Sequence, residues 1–197
     1  MPPATLNCLL LIASAKLTDM YVGIDIGGTK TLVAALDSNG VIKERVKFPT
    51  PKKYDEFLTE LKNTLSQFEH KDFKAGGLAV PGRIENKKGT VIRLGNLRSW
   101  GNDIPLQHDV EQLCKCPIAM RNDAQLGGLS EAMLLKGEYS KVLYVTVSTG
   151  IGISLVVDCE IDTNIGEGGG KAILLEHDGK LVPWETFASG HAIVERY

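Results

Sequence analysis

No excess of charge of either sign marks this 197-residue sequence: 22 lysines and arginines stand against 24 aspartates and glutamates, a formal net charge of -2. That balance supplies no global field for nucleic acid or for an anionic membrane, and it leaves small neutral or anionic ligands open. Cysteine is scarce. Cys8, Cys114, Cys116 and Cys159 form no regular framework, and the Cys-x-Cys pair before Pro117 lacks the second pair that a zinc site needs. All four read as reduced thiols of a cytoplasmic protein. Nor is any apolar run long enough to span a bilayer. "LNCLLLIASA" has the apolar stretch and small-residue end of a secretory signal, but no lysine or arginine precedes it. Met20, directly before "YVGIDI", reads as the natural start, and residues 1–19 as a poorly ordered extension.

What is present is an ordinary globular composition, 43% hydrophobic and 23% charged, sufficient for one sizeable core or two small lobes. From Tyr21, Val22, Ile24 and Ile26 alternate with Gly23 and Asp25, and after a glycine turn "TLVAAL" resumes a strand-like run. Asn39-Gly40 predicts a tight two-residue turn into "VIKERVKF", with Ile42, Val46 and Phe48 on one face and Lys43, Arg45 and Lys47 on the other. Pro49 and Pro51 end this three-stranded meander. Phe57, Leu61, Leu65 and Phe68, with Leu58 beside them, have the spacing of an amphipathic helix covering one face of the sheet. "GGLAVPG" reads as a buried strand ending in a Pro-Gly turn, and Ile104, Val110 and Leu113 suggest a short helix before the strand "PIAM". "AQLGGLSEAMLL" reads as a helix whose two glycines each cost roughly 1 kcal/mol against alanine, which implies a close neighbour there.

"KVLYVTVSTGIGISLVVD" then repeats the opening theme of strand, glycine turn and strand, about 120 residues further along. Two such units predict two similar lobes, each beginning a new sheet, with both turns facing one cleft. A glycine turn lets a phosphate approach backbone N–H groups without meeting a β-carbon, and a threonine hydroxyl adds a neutral donor. Asp25, beside the first turn, is repulsive to a polyphosphate unless a divalent cation lies between them, which suggests a hydrated Mg²⁺. Taken alone, "DIGGT" also reads as a hairpin turn with a capping aspartate. The second turn, "STGIG", strengthens the phosphate reading, and neither turn is followed by the Gly-Lys-Ser/Thr of a Walker loop. In "RNDAQLGG", Asn122 and Asp123 lie where a strand gives way to a helix, a common place for catalytic side chains. Asp123 has two readings: an N-cap of that helix, or a base that takes a proton from a substrate hydroxyl.

These stretches together resemble the ROK family (repressor, open reading frame, kinase) of the actin-like ATPase superfamily. "GIDIGGTKT" resembles its first phosphate motif, "VPGRI" its sugar-side loop, "NDA" its catalytic motif and "VSTGIGISLVVD" its second phosphate motif, in the family's order, over residues 20 to 197. The resemblance implies an α/β actin-like ATPase (ribonuclease H-like) fold of two lobes around a cleft, residues 20–121 and 122–197, with the second lobe incomplete. It implies a glucokinase-like sugar kinase using ATP and Mg²⁺, with a hexose and a nucleotide as partners, no nucleic acid or membrane, and room for a homodimer. Asp123 is then the general base on the sugar's primary hydroxyl. Asp25 helps hold Mg²⁺, through water, and Gly27, Gly28, Thr29, Thr149, Gly150 and Gly152 cradle phosphates, with Lys30 in the first turn but solvated. Gly82, Arg83, Asn122 and Asp123 match positions lining the hexose, joined by Asn96, Glu167 and Glu185. Glu185 of "PWETFASG" matches a glutamate that contacts sugar hydroxyls, for which bidentate carboxylate bonding to a diol is the physical reason. A solvated glutamate opening a helix is the other reading of that residue.

Two departures from the family pattern stand out. The family's Gly-Glu-x-Gly-His and its cysteine cluster bind zinc, whereas "IGEGGGKAILLEHDGK" has Glu167 but no histidine in register, and Pro183 stands where a cysteine belongs. Counting back from "HDG" puts Ala172 at the histidine position instead. No zinc site is expected, and a sugar contact goes with the histidine; His177, His191 and Cys159 read as ordinary residues. The chain is also shorter than the family's kinases and stops as the helix after "FASG" begins, which predicts exposed apolar residues such as Ile193 and Val194. Three other readings stand beside an ATP-dependent kinase: an inactive sugar- or nucleotide-binding protein, a kinase using polyphosphate, and a sugar-responsive regulator. The last is disfavoured because nineteen residues without a basic amphipathic helix supply no helix-turn-helix.

Overall fold

The computed structural model describes residues 19–163 and 169–196. They form two compact units that divide between Asn122 and Asp123, so Asn122 closes the first unit.

The first unit opens with strands β1 (Met20–Ile26), β2 (Lys30–Asp37) and β3 (Ile42–Pro49), an antiparallel meander. Helix α1 (Tyr54–Gln67) follows, then β4 (Phe73–Val80), parallel to β1. Strands β5 (Arg83–Glu85), β6 (Thr90–Arg93) and β7 (Asn102–Ile104) form a separate small antiparallel sheet. Helix α2 (Leu106–Cys114) and β8 (Ile118–Asn122), parallel to β4, complete a main sheet of order β3-β2-β1-β4-β8.

Alternation along β1 decides which face is buried: Val22, Ile24 and Ile26 are 2% exposed or less, whereas Asp25 between them is exposed. The buried face meets α1, whose Phe57 and Leu61, one turn apart, are fully enclosed and contribute about 1.5–3 kcal/mol each by burial. Phe57 also packs on Trp100, with ring centroids 4.6 Å apart. Asp55 and Glu56 suit the positive end of α1, and the helix stops where Phe68 turns extended. The Tyr54 hydroxyl donates to Asp109 of α2 at 2.7 Å, tying the two helices together.

Two expectations about the meander are corrected. The turn at Asn39-Gly40 is a three-residue loop closed by the Gly40 amide on the Asp37 carbonyl at 2.9 Å, with Gly40 at φ +77. It is held open by the Asp37 carboxylate, which accepts the Asn39 and Val41 amides at 2.9 and 3.0 Å. Ile42, expected inward with Val46 and Phe48, is 49% exposed. The register slips between Ala35 and Leu36, leaving Lys43 as the extra residue of a bulge, and its ammonium ion pairs with Asp37 at 2.8 Å.

The second unit begins with α3 (Asp123–Leu134), then β9 (Lys141–Val147), β10 (Ile151–Val157) and β11 (Glu160–Ile161), an antiparallel sheet of order β11-β10-β9. A hairpin of β12 (Leu174–His177) and β13 (Lys180–Pro183) precedes the short helices α4 (Glu185–Ala188) and α5 (Gly190–Arg196). Helix α3 lies on the sheet through its two glycines. A β-carbon on Gly128 stands 2.6 Å from the Ser154 hydroxyl and 3.1 Å from the Tyr144 β-carbon, and one on Gly127 meets the Tyr144 ring at 3.1 Å. The close neighbour implied by the glycines is therefore β9 and β10. Ile193 and Val194 are exposed, as expected.

Gly128→Ala consequently trades a helix-propensity gain of about 1 kcal/mol for a buried collision, and a net loss of roughly 1–2 kcal/mol is expected. Denaturant titration checks it: Ser154→Gly in the same chain relieves the contact, so the double variant is more stable than the two single losses added together.

Candidate functional site

The first glycine turn joins β1 to β2 with Gly28 and Thr29 at its tip, the Gly27 amide donating to the Lys30 carbonyl at 2.9 Å. Its glycines are required by space. A β-carbon on Gly27 meets the Lys30 carbonyl oxygen at 2.8 Å, and one on Gly28 meets the Asn96 β-carbon at 2.8 Å. Thr50 braces the turn from behind: its hydroxyl donates to the Gly27 carbonyl at 2.8 Å and lies 2.9 Å from the buried Thr31 hydroxyl, and its amide donates to the Thr29 carbonyl. Thr29 and Lys30 are exposed. Asn96 is thus brought to the first glycine turn, a contact that no spacing in the sequence announces.

Asp25 stands on the outward face of β1, in register with Leu32, which is in turn in register with Lys47 on β3. Although Asp25 is exposed, the surrounding sheet strips enough water from its carboxyl to raise the pKa above the ordinary aspartate value, and the Lys47 ammonium opposes that shift. A carboxylate held uncomfortable as an anion, with a single lysine in partial compensation, fits a place beside a cation.

In the loop between β4 and β5, Gly82 has φ +117, and a β-carbon there would collide with the Arg93 carbonyl oxygen, so only glycine follows this path. Its carbonyl accepts the Asn122 side-chain amide at 3.0 Å, joining the end of β8 to the loop. Arg83, next in the chain, is exposed. Gly82 and Asn122 are therefore one assembly in the first unit.

Asp123, exposed, is the first residue of α3 and its Oδ1 accepts the Ala124 amide at 2.9 Å. One carboxylate oxygen is thus engaged with the amide of the next residue. The second glycine turn, Ser148-Thr149-Gly150, leads from β9 into β10. The Ile151 amide donates to Glu185 Oε2 at 2.8 Å, and a β-carbon on Gly150 stands 2.5 Å from that same oxygen. Lys171 ion pairs with Glu185 Oε1 at 3.3 Å. The turn is closed from its other side by Gly190, whose amide donates to the Ser148 carbonyl at 2.7 Å, and a β-carbon there meets that oxygen at 2.5 Å. Gly152 lies under Ala124, at 2.7 Å from its would-be β-carbon.

Glu185, partly buried, brings a negative oxygen to a backbone amide of the second glycine turn. Glu167 lies outside the described residues. Thr50, Lys171 and Gly190 were missed by sequence reasoning; for Gly190 the "FASG" stretch was available as a signal, and for Thr50 and Lys171 there was none. Cys114 and Cys116 are buried, which pushes their thiols up to about 12 and about 11 and leaves them protonated at neutral pH. No helix among the described residues is long and apolar enough to cross a membrane.

The family model described as "ROK family" matches residues 21–197. An N-acetylgalactosamine kinase, AgaK, of Shewanella sp. (strain ANA-3) is 34% identical over 143 residues, covering 71% of this chain and 46% of the relative. A glucokinase of Halalkalibacterium halodurans is 33% identical over 191 residues, covering 88% of this chain and 57% of the relative. The crystal structure of a ROK family glucokinase from Streptomyces griseus in complex with glucose and AMPPNP superposes with a TM-score of 0.72 at 26% identity, covering 89% of this chain and 59% of that one. The chain spans about half the length of the curated relatives it matches. The mixed α/β architecture is that of the actin-like ATPase fold.

The raised pKa of Asp25 has a consequence for stability. Between the ordinary aspartate pKa and the raised folded value, the folded chain holds a proton that the unfolded chain has released, so stability falls as pH rises through that window. Asp25→Asn removes this slope, and the difference in Tm between variant and wild type is expected to grow in the variant's favour from acid to neutral pH. Thermal unfolding across that range checks the sign.

Proposed function

The chain belongs to the ROK family, and from that premise we propose that it catalyses ATP-dependent phosphorylation of a hexose primary hydroxyl, with Asp123 as the general base. The observation that carries this reading is the state of the two turns. Each is closed to side chains at its glycines, and in the second an anionic oxygen, Glu185 Oε2, already sits on the Ile151 amide. Backbone amides that hold a carboxylate oxygen are chemically suited to phosphate oxygens.

In the proposed reaction the sugar hydroxyl gives its proton to the Asp123 carboxylate as its oxygen forms a bond to the γ-phosphorus. The bond from that phosphorus to the bridging oxygen breaks, and ADP departs. The Ala124 amide on Asp123 Oδ1 fixes the carboxylate's orientation on the first turn of α3. Gly27, Gly28, Thr29, Thr149, Gly150 and Gly152 offer backbone and hydroxyl donors to phosphates, with Lys30 exposed in the first turn. Asp25 is the residue to hold a hydrated Mg²⁺, which when bound neutralises phosphate charge. Asn122, held on the Gly82 carbonyl, orients the sugar together with Arg83, Asn96 and Glu185. ATP as donor is supported by the nucleotide analogue bound to the Streptomyces griseus glucokinase.

Coupled assay of ADP release by the full chain, against glucose, mannose, fructose and their N-acetylated amino forms, tests this reading. Turnover on one sugar is expected, with Asp123→Ala lowering it by about 10²–10⁴ or more and changing sugar affinity only modestly. Equal turnover in the variant would overturn the assignment of the base.

A further inference from the structure

The segment that carries the chain from β3 to α1 begins Thr50-Pro51-Lys52, directly after Pro49. Each proline fixes its own φ, and Pro51 also pushes the residue before it toward extended backbone. Thr50, only 6% exposed, is therefore part of a stiff strap. Its hydroxyl and amide hold the first glycine turn, on the Gly27 and Thr29 carbonyls at 2.8 and 3.0 Å.

The next two residues of the strap are held from a different part of the first unit. The Trp100 indole N–H donates to the Pro51 carbonyl at 3.0 Å, and the Ser99 hydroxyl donates to the Lys52 carbonyl. Trp100 is itself fixed: its ring packs on Phe57 and on Tyr54, with centroids 4.6 and 5.3 Å away, and its amide donates to the Leu97 carbonyl at 3.0 Å. It ends a loop, Leu94 to Trp100, anchored by the buried Leu94 and Leu97. Asn96, between those anchors, is the residue that meets Gly28, and a β-carbon on Gly82 stands 3.2 Å from the Leu94 α-carbon. One loop thus borders the first glycine turn, the Gly82 segment that holds Asn122, and the strap.

We propose that Trp100 and Thr50 are positioning residues acting through this strap: Trp100 fixes Pro51, the stiff strap then sets Thr50 on Gly27 and Thr29, and the spacing between the first glycine turn and the Asn96 loop is fixed before any ligand arrives. The proposal rests on the reading of that turn as a phosphate cradle. A turn ordered in advance spends less binding free energy on ordering when a phosphate reaches its amides. Without the indole N–H, the Pro51 carbonyl loses a donor and the strap loses a fixed point, so the turn loosens although none of its own residues has changed.

Hydrogen exchange on the full chain, read at the Gly27 amide that donates to the Lys30 carbonyl, tests this with no ligand present and so separately from the kinase assay. Trp100→Phe keeps an aromatic ring but has no N–H, and Thr50→Val keeps the shape but has no hydroxyl. Each is expected to speed exchange at Gly27 by roughly tenfold while the amides at the centre of β1 keep their rates, and Thr50→Ser is expected to match wild type. Because both side chains act through one strap, the double variant is expected to exchange no faster than the faster single variant. Trp100→Phe with an unchanged Gly27 rate would overturn the proposal, as would equal acceleration at Gly27 and the centre of β1, or a double variant whose two effects multiply in full. Should Trp100→Phe fail to fold by circular dichroism, Ser99→Ala, at an exposed position, takes its place with the same expectation and the same overturning results. In the ADP-release assay, Trp100→Phe and Thr50→Val are expected to raise KM for ATP by roughly tenfold, with Thr50→Ser near wild type. A loosened turn with an unchanged KM for ATP also counts against the proposal, whereas a wild type silent on every sugar counts against the kinase reading and leaves the exchange rates to decide this one.

Discussion

A β-carbon at Gly28 has the Asn96 side chain 2.8 Å away, and one at Gly150 has the Glu185 carboxylate 2.5 Å away. The chemistry of this chain depends on that constraint. Backbone donors at a strand end can serve a ligand only where no side chain covers them, and such bare backbone is conformationally loose unless something holds it. In the first turn Thr50 does so, bonding the carbonyl of Gly27 through its hydroxyl and that of Thr29 through its amide. In the second, Glu185 and Gly190 do so from the segment that follows the β12–β13 hairpin. Each turn is therefore a small tertiary structure in which residues distant in sequence hold glycines that could not hold themselves.

That arrangement explains which parts could be read in advance. Period-two alternation in β1 and the three-to-four spacing in α1 are local consequences of burial, and they appear in the structure where the residues placed them. The glycine turns were legible because glycines between two apolar strands suit a tight reversal of the chain and little else. The turn after β2 was misread because the Asp37 carboxylate accepts two amides and so enlarges the loop, a side-chain effect invisible to a dipeptide rule. Ile42 was misplaced for a related reason: one extra residue, Lys43, changes the register, and an alternating pattern carries no mark of where it slips. The small sheet of β5, β6 and β7 escaped because strands of three or four residues are too short to establish a period.

The contacts that matter most to the candidate site lay furthest from reach. Asn96 touches Gly28 across about 70 residues of sequence, and Lys171 finds Glu185 because the hairpin of β12 and β13 returns the chain on itself. Sequence reasoning could nominate Asn96 and Glu185 only through a family resemblance, and it could not nominate Lys171, for which neither motif nor periodicity exists. Only the folded backbone brings such residues together, and the first unit shows the same in Asn122, whose amide is fixed by the Gly82 carbonyl.

The missing histidine can be placed in the same physical frame. In the family's Gly-Glu-x-Gly-His pattern, counted from Glu167, the histidine position falls on Gly170. A β-carbon there stands 2.6 Å from the Ile151 β-carbon and 3.1 Å from that of Glu185, and one on the preceding Gly169, at φ +50, would collide with the Ile151 carbonyl oxygen. Both neighbours are β-carbons, fixed to backbone, so neither can swing aside as the tip of a long side chain can. Along this backbone path no side chain of any kind fits at 170, and restoring a histidine requires the segment to move away from β10. The next residue, Lys171, extends to Glu185, whose other oxygen is on the Ile151 amide. A cation thus lies beside the carboxylate that holds the second turn, and the crowding at Gly170 and the tight seating of that turn are two aspects of one backbone path.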